Sequence, residues 1–176
     1  DAKTKKRIDR LKNFGFVDEL TVAANGINAK MSELHAAVGL AQLQYIDKAI
    51  LQRKHVADIY CKRLAGIEKL VLPDYQQAQR SNYAYMPVLL KSQAPKSRDL
   101  LVAKLRDLGV VPRRYFYPLI PDFQYYKTNN SANSFRYPVA TKSAAEVLCL
   151  PIYPGLEDHM VHRICDYIDC FLREQV

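Results

Sequence analysis

Arginine and tyrosine side chains are concentrated in one short segment of the sequence, where together they could bind a ligand. The segment reads Arg113, Arg114, Tyr115, Phe116 and Tyr117. Side chains alternate along an extended chain, so Tyr115 and Tyr117 are predicted to project to the same side. Two phenols beside two guanidinium groups can stack on a ligand or hydrogen-bond to it. Half-buried aromatic residues of a strand would give the same pattern, so both interpretations stay open.

The cysteines and histidines are scattered and do not form a metal or redox motif. The four cysteines contain no C-x-x-C pair and all lie in apolar, periodic surroundings: Cys61, Cys149, Cys165 and Cys170. We therefore predict buried free thiols. His159 and His162 stand three residues apart in a predicted helix and could share a face with Cys165, but no second ligand pair occurs elsewhere. The sequence therefore predicts no zinc or other metal site.

The chain carries a formal net charge of +8 and concentrates basic residues near its start. Because these residues are spaced over a few turns that also hold Ile8 and Leu11, we interpret them as the solvated face of an amphipathic helix. No pattern of a nucleic-acid-binding module accompanies them. No apolar run approaches the ~20 residues that span a bilayer, and nothing near Asp1 resembles a signal peptide. We therefore expect a globular, cytoplasmic protein that binds neither nucleic acid nor membranes.

The elements that must position these groups are predicted from periodicity and from breaker residues. Residues 1–12 read as the end of a helix, which Asn13 breaks, and Gly15 suits a left-handed turn. Because the chain starts in this helix without a Met, we expect it to begin inside a larger structure. Ser32 is expected to cap a long helix that continues to about Leu64.

The first turns of that long helix are rich in small residues, between Ala36 and Ala41. Small side chains allow a partner to approach closely, although a plain core helix explains them almost as well. After Gly66, shorter elements alternate. In order, they are strands over 70–72 and 83–90, a helix over 97–108 ended by Gly109, an extended segment over 110–116, a loop over 118–138, a helix over 141–148, an extended piece over 149–153 and a helix over 157–173. This alternation predicts a small α/β domain that follows one long helix.

Three segments of the chain resemble the sugar aminotransferase family named after its DegT, DnrJ, EryC and StrS members. The first reads R-L-K-N-F-G-F from Arg10 and resumes at Gly26 with G-I-N-A-K-M-S-E, which leads into a helix of small residues. The second is R-R-Y-F-Y-P from Arg113, and the third is V-L-C-L-P-I-Y-P from Val147. Their order and spacing match the family, and the resemblance covers nearly the whole chain.

This resemblance implies the C-terminal part of a fold-type-I transferase that depends on pyridoxal phosphate, with an α/β fold. Residues 1–31 would be a remnant of the large cofactor-binding domain with an interface loop, residues 32–64 a long interdomain helix, and residues 65–176 the small C-terminal α/β domain. In the family the cofactor forms a Schiff base with a lysine upstream of the matched region, and no lysine here has the required context. The resemblance therefore nominates no catalytic residue in this chain and implies that the isolated chain is inactive.

The resemblance also implies roles for individual residues. In similar enzymes the Asn of the G-x-N motif reaches the cofactor phosphate of the other subunit, a role that maps onto Asn28, although Asn28 could instead cap a turn before the Ser32 helix. Lys30 could contact the substrate's diphosphate or carboxylate, or be a surface lysine. Arg114, Tyr115 and Tyr117 would then contact a sugar nucleotide.

The function implied is the transfer of an amino group from glutamate to a nucleotide-linked keto sugar by a homodimer. The R-R-Y-F-Y-P version looks most like enzymes that act on dTDP-linked 4-keto-6-deoxy sugars, such as the dTDP-4-keto-6-deoxyglucose aminotransferases. Two other readings stay open: a regulatory or sensor paralogue of the same fold that lacks turnover, and a basic module that binds an acidic partner. An upstream lysine with a bound, yellow cofactor would favour the enzyme.

Overall fold

A computed structural model gives the fold and describes residues 1–75, 80–91, 97–126 and 136–173. The chain forms two compact units, Asp1–Ile46 and Asp47–Val176. The first unit contains helix α1, Ala2–Leu11, and helix α2, Glu33–Leu43. No residue of either helix is buried.

In the first unit, the end of α1 and the start of α2 lie where the sequence predicts them. The Ser32 hydroxyl accepts a hydrogen bond from the backbone N–H of His35, which caps α2. Gly15 has a φ of +84°, the left-handed conformation that follows α1. Apolar residues of α2 are exposed, since Val38 is 53% exposed and Leu40 is 67% exposed.

The long helix predicted over 32–64 is two helices in the structure. Helix α2 ends at Leu43, and helix α3, Ile46–Leu64, follows a turn in which the Tyr45 N–H donates to the Gln42 carbonyl at 3.0 Å. The turn residues are neither Gly nor Pro, so local propensity gives no signal for the break. The division of the chain at residues 31 and 64 into three segments stays a prediction.

The second unit is built on a three-stranded antiparallel sheet in the order β1-β2-β3. Its strands are Leu70–Val71, Met86–Leu90 and Val147–Leu150. Its helices, apart from α3, are α4, Arg98–Asp107, α5, Pro138–Glu146, and α6, Asp158–Arg173, with a short 3-10 helix at Ile120–Asp122. The helix expected over 141–148 thus ends at Glu146, because Val147 and Leu148 pair with β2. Part of the loop expected over 118–138, residues 127–135, lies outside the described residues.

The core of the second unit lies between the sheet and helices α3, α4 and α6. Helix α6 buries residues at three- and four-residue spacings, the period of an amphipathic helix: Val161, Ile164, Cys165, Ile168, Phe171 and Leu172. Strand β2 alternates between buried and half-buried side chains, whereas all four residues of β3 are buried. Gly109 lies just after α4 and has a φ of +80°, in agreement with the prediction that this glycine ends the helix.

The cysteines are free, but they are not all buried. Cys149 and Cys165 are buried as predicted, Cys61 is half-buried, and Cys170 is exposed near the end of α6. Burial raises the pKa of the Cys165 thiol to about 11. No group of three His, Cys, Asp or Glu side chains that could hold a metal ion occurs in the described ranges. Among the same residues, no helix is long and apolar enough to cross a membrane.

Two tyrosines of the core differ in how their hydroxyl groups are paired, and this difference gives a stability prediction. Tyr60 is fully buried, and its hydroxyl has no hydrogen-bond partner among the described residues. The Tyr75 hydroxyl donates to the Tyr85 carbonyl at 2.7 Å. We expect Tyr60→Phe to keep or raise the free energy of unfolding, and Tyr75→Phe to lower it by about 1 kcal/mol. Urea denaturation of both variants measures this, and a loss for Tyr60→Phe as large as that for Tyr75→Phe would contradict it.

Candidate functional site

The arginine and tyrosine segment lies along the outer edge of β3. On this edge the Arg113 N–H donates to the Cys149 carbonyl at 3.0 Å, and the Cys149 N–H donates to the Arg113 carbonyl at 2.6 Å. The other edge of β3 pairs with β2. Main-chain hydrogen bonds therefore fix the position of residue 113, and its side chain takes no part in them.

The prediction of an extended segment over 110–116 is wrong for the residues that follow this pair of hydrogen bonds. Tyr115 and Phe116 form a turn, in which the Tyr117 N–H donates to the Arg114 carbonyl at 2.8 Å. Because of this turn, Tyr115 and Tyr117 do not share one side of a strand. Their rings lie in different surroundings.

The Tyr117 ring lies against two guanidinium groups. The Arg98 Cζ is 5.0 Å and the Arg114 Cζ 5.7 Å from the centre of the ring. Both arginines also bind the same carboxylate oxygen, the Asp99 Oδ1, at 2.8 and 2.9 Å. Arg114, predicted to bind substrate, is thus already paired within the protein, and half of the Tyr117 side chain remains exposed.

Arg98 connects this cluster to the interior of the second unit. Its side chain is buried, and its Nη1 donates to the carbonyls of Ala144 at 3.0 Å and Val147 at 2.6 Å. These carbonyls lie at the end of α5 and the start of β3, where no helical partner remains for them. One cation therefore joins the start of α4, the end of α5 and the Tyr117 ring.

The Tyr115 ring belongs to a second aromatic group. It stacks on Phe116 with ring centres 5.0 Å apart and meets the edge of Tyr85 at 5.6 Å. The Arg113 Cζ lies 6.0 Å from the centre of the Tyr115 ring. The Arg113 guanidinium has no hydrogen bond or ion pair within the described part of the chain.

A cavity of about 430 Å³ adjoins this second group. Its lining includes Arg113, Tyr115, Tyr85 and Tyr153, together with apolar residues of the core such as Leu156 and Ile164. Arg114 and Tyr117 do not line it. The predicted binding cluster is therefore divided, with its free arginine at the cavity and its paired arginine away from it.

Sequence reasoning did not nominate Tyr85 or Tyr153 as site residues, and it assigned the substrate contact to Arg114 and not to Arg113. The sequence does single out the R-R-Y-F-Y-P segment that contains Arg113. Which of its two arginines is paired depends on which one contacts Asp99, and the sequence does not show this. Tyr85 precedes β2 and Tyr153 follows β3. Tyr85 and Tyr153 come together because segments far apart in the sequence pair as strands. The residues around each tyrosine do not indicate this pairing.

The segment with Asn28 and Lys30 is held by main-chain hydrogen bonds to the end of α1. The Ile27 N–H donates to the Leu11 carbonyl at 2.8 Å, and the Ala29 N–H donates to the Lys12 carbonyl at 3.0 Å. Asn28 therefore lies in a fixed backbone position between two bonded neighbours. Its side chain is exposed and makes no hydrogen bond with any described residue. It does not cap a turn before α2, a role that Ser32 fills alone.

Lys30 is partly engaged. Its Nζ donates to the Asn13 Oδ1 at 3.3 Å and lies 5.5 Å from the centre of the Phe14 ring. Its side chain is exposed, as expected for either of the two predicted roles. These contacts bring the lysine over the turn that follows α1.

Two glycines make this arrangement possible. A Cβ on Gly26 would lie 2.3 Å from the Gly15 nitrogen and 2.6 Å from the Leu11 carbonyl oxygen. A Cβ on Gly15 would lie 1.7 Å from the Ala24 carbonyl oxygen. All of these neighbours are backbone atoms, which cannot move aside as a flexible side chain can. Direct backbone contact therefore sets the course of the chain that presents Asn28.

Known proteins match nearly the whole length of this chain. The DegT/DnrJ/EryC1/StrS aminotransferase family matches residues 1–169. The chain is 44% identical over 164 residues to a dTDP-4-amino-4,6-dideoxy-D-glucose transaminase of Escherichia coli, a match that covers 93% of this chain and 44% of the relative. A transaminase of the same name from Shigella dysenteriae is 40% identical over 172 residues, covering 97% of this chain and 45% of the relative.

A solved structure shows the same fold. DesI, determined in the presence of its TDP-sugar product, superposes with a TM-score of 0.85 at 30% identity, covering 98% of this chain and 43% of that one. The α/β fold of this class of transferase, predicted from the sequence, is confirmed. The chain spans less than half the length of the relatives it matches.

The buried position of Arg98 gives a second prediction. Arg98→Met removes a guanidinium that satisfies two buried carbonyls, so we expect the free energy of unfolding to fall by about 1.5 to 3 kcal/mol. Arg106→Met is the matched control, since Arg106 is exposed on the same helix and should change stability by less than about 0.5 kcal/mol. Urea denaturation of the two variants compares them. Equal effects would show that the Arg98 hydrogen bonds do not stabilise the second unit.

The glycine contacts give a third prediction. Gly26→Ala is expected to displace the Asn28 segment, so the amides of Ile27 and Ala29 should exchange with solvent faster. Gly66→Ala is the control, because a Cβ there meets nothing within 4 Å. Hydrogen exchange followed by mass spectrometry measures both. Unchanged exchange in Gly26→Ala would refute the role of backbone contact.

Proposed function

This chain belongs to the DegT/DnrJ/EryC1/StrS aminotransferase family, and on that basis we propose that the whole protein transfers an amino group from glutamate to a dTDP-linked keto sugar, with pyridoxal phosphate as cofactor. The observation that carries the proposal is the 44% identity, over 93% of this chain, to the dTDP-4-amino-4,6-dideoxy-D-glucose transaminase of Escherichia coli. In the overall reaction, glutamate and the ketone become 2-oxoglutarate and the amino sugar. The amino group and the keto oxygen exchange places.

The residues near Asn28 fit a phosphorylated cofactor. The Asn28 amide is exposed, lacks a partner among the described residues and can donate to a phosphate oxygen. Pyridoxal phosphate, when bound, supplies the carbonyl group that carries nitrogen between the two substrates. In this proposal Asn28 orients the phosphate, and Lys30 adds a positive charge that attracts a diphosphate or carboxylate of the substrate.

The second unit contributes residues that hold the sugar nucleotide. The exposed half of the Tyr117 ring can pack on a sugar, while Arg98 and Arg114 keep the ring in place from behind. We propose that Arg114 acts by positioning, because one of its guanidinium nitrogens already binds Asp99. Tyr115 can contribute through its ring at the cavity.

We also propose that the enzyme is a homodimer in which Asn28 serves the site of the partner subunit. The exposed apolar residues of α2, such as Leu34, Val38 and Leu40, support an interface on that helix. Its small residues, including Gly39, permit close approach of a second chain. Sedimentation of the full-length protein tests the proposal, and a monomer at high concentration would refute it.

The activity is tested with full-length protein, pyridoxal phosphate, glutamate and dTDP-4-keto-6-deoxyglucose, by detection of 2-oxoglutarate and the amino sugar. We expect Asn28→Ala to weaken cofactor binding about 10-fold or more, because it removes a hydrogen bond to a charged phosphate worth about 1.5 to 3 kcal/mol. Titration of the apoprotein with pyridoxal phosphate measures this. Gln52→Ala, which removes an exposed amide from α3, is the control and should bind normally.

Two results would contradict these proposals. Normal cofactor affinity in Asn28→Ala would leave Asn28 without a role at the phosphate. Absence of amino transfer in a protein that still binds the sugar nucleotide would favour the regulatory paralogue.

A further inference from the structure

Tyr83 has a backbone conformation that residues of its type rarely adopt. Its φ is +49°, in the left-handed region, where a side chain crowds the following carbonyl oxygen. Glycine takes this conformation freely, whereas a tyrosine keeps it only when its surroundings hold it there. Residues strained in this way are concentrated at functional sites, where they pre-organise a binding group. Tyr83 lies two residues before Tyr85, which lines the cavity.

Polar side chains of the turn at residues 81–84 hold the backbone around Tyr83. The Tyr83 N–H donates to the Ser81 Oγ at 3.1 Å, and the Ala84 N–H donates to the Asn82 Oδ1 at 3.0 Å. Short polar side chains form such bonds readily, because the acceptor is only two residues from the donor. These local bonds shape the turn, but they do not attach it to the helices and strands of the second unit.

Contacts with Arg53 and Tyr75 attach the turn to the second unit. The Nε of Arg53, on helix α3, donates to the Asn82 carbonyl at 3.0 Å across 29 residues of sequence. Arg53 is half-buried, and its positive charge strengthens the hydrogen bond to this carbonyl. The Tyr83 ring packs against Tyr75, with ring centres 4.8 Å apart. The strained residue is therefore held through its side chain and through the residue that precedes it.

The turn determines where the Tyr85 ring lies. This ring meets the edge of Tyr115 at 5.6 Å and lies 6.3 Å from the centre of the Phe116 ring. Strand β2 fixes the chain from Met86 onward, so the direction in which the chain reaches Tyr85 depends on residues 81–84. A change in the turn would therefore displace one wall of the cavity.

We infer that Arg53 is a positioning residue for the keto-sugar substrate, because it holds the left-handed turn that places Tyr85 at the cavity. The inference rests on the proposed function for the reaction that it affects. Arg53 does not line the cavity, so it acts through the turn. Without its hydrogen bond, Tyr83 can relax from the left-handed conformation, and Tyr85 then loses its fixed place beside Tyr115.

The test compares Arg53→Met with the unmodified full-length holoenzyme. The substitution removes the donor but keeps an unbranched side chain, and it should raise the KM for dTDP-4-keto-6-deoxyglucose about 10-fold. The half-reaction with glutamate alone, followed in a single turnover by the absorbance of the cofactor, should keep its rate, because the turn acts on the sugar nucleotide. Hydrogen exchange should become faster at the amides of Tyr83 and Ala84, whose bonds shape the turn.

The controls separate the hydrogen bond from charge and from general stability. Lys62→Met removes an exposed cation from the same helix and should change neither the KM nor the exchange. Arg53→Lys retains a cationic donor and should recover part of the loss, and thermal unfolding of each variant shows whether the fold is intact. In a Tyr83→Gly background, Arg53→Met should raise the KM less, because glycine accepts a positive φ without strain.

Several outcomes would overturn the inference. An unchanged KM for the keto sugar in Arg53→Met would do so, and so would an equal effect of this substitution with tyrosine or glycine at residue 83. A raised KM with unchanged exchange at Tyr83 and Ala84 would show that Arg53 acts by another route.

Failure of the proposed function has a different signature. In a full-length protein that transfers no amino group, calorimetric titration with dTDP-4-keto-6-deoxyglucose takes the place of the KM. Weaker binding by Arg53→Met would then support the inference while removing the proposed function, whereas equal binding by the variant and the unmodified protein would overturn both.

Discussion

The arrangement of the arginine and tyrosine segment depends on the buried guanidinium of Arg98. It donates to two carbonyls at the junction of α5 and β3, binds Asp99 and lies against the Tyr117 ring. A buried cation is stable only when acceptors surround it, and here the backbone and one carboxylate provide them. Since β3 also carries the main-chain pair that fixes residue 113, the same junction positions both parts of the arginine and tyrosine segment.

Two adjacent arginines thus have different physical roles. Arg114 shares the Asp99 oxygen with Arg98, so its guanidinium already has a carboxylate partner within the protein. Arg113 is placed by main-chain bonds and keeps its charge available at the cavity. A similar arrangement occurs in the first unit. Backbone hydrogen bonds on either side of Asn28 fix its position, and its side-chain amide has no hydrogen-bond partner among the described residues. Both regions place a polar group by means of the backbone alone.

The sequence predicts well what depends on neighbouring residues. The closing helix α6, the cap at Ser32, and the left-handed glycines at 15 and 109 are all local features, and the structure confirms them. The break between α2 and α3 has no local signal, and the turn at Tyr115 replaced a predicted strand. The partner of each arginine, and the approach of Tyr85 to Tyr115, depend on strand pairing between segments far apart in the chain. Residue types therefore suffice to nominate a candidate segment, whereas the contacts of each of its side chains are known only from the fold.

The way the backbone holds residue 113 has a consequence for the evolution of ligand preference. Because the two hydrogen bonds with Cys149 involve main-chain atoms alone, the sheet edge forms regardless of the side chain that residue 113 carries. A lineage can therefore exchange that side chain, and with it the charge offered to a ligand, at little cost in folding free energy. Position 98 has no such freedom, since its side chain is itself part of the interior. Substitutions that change ligand specificity should therefore accumulate at residue 113, whereas selection should remove substitutions at residue 98.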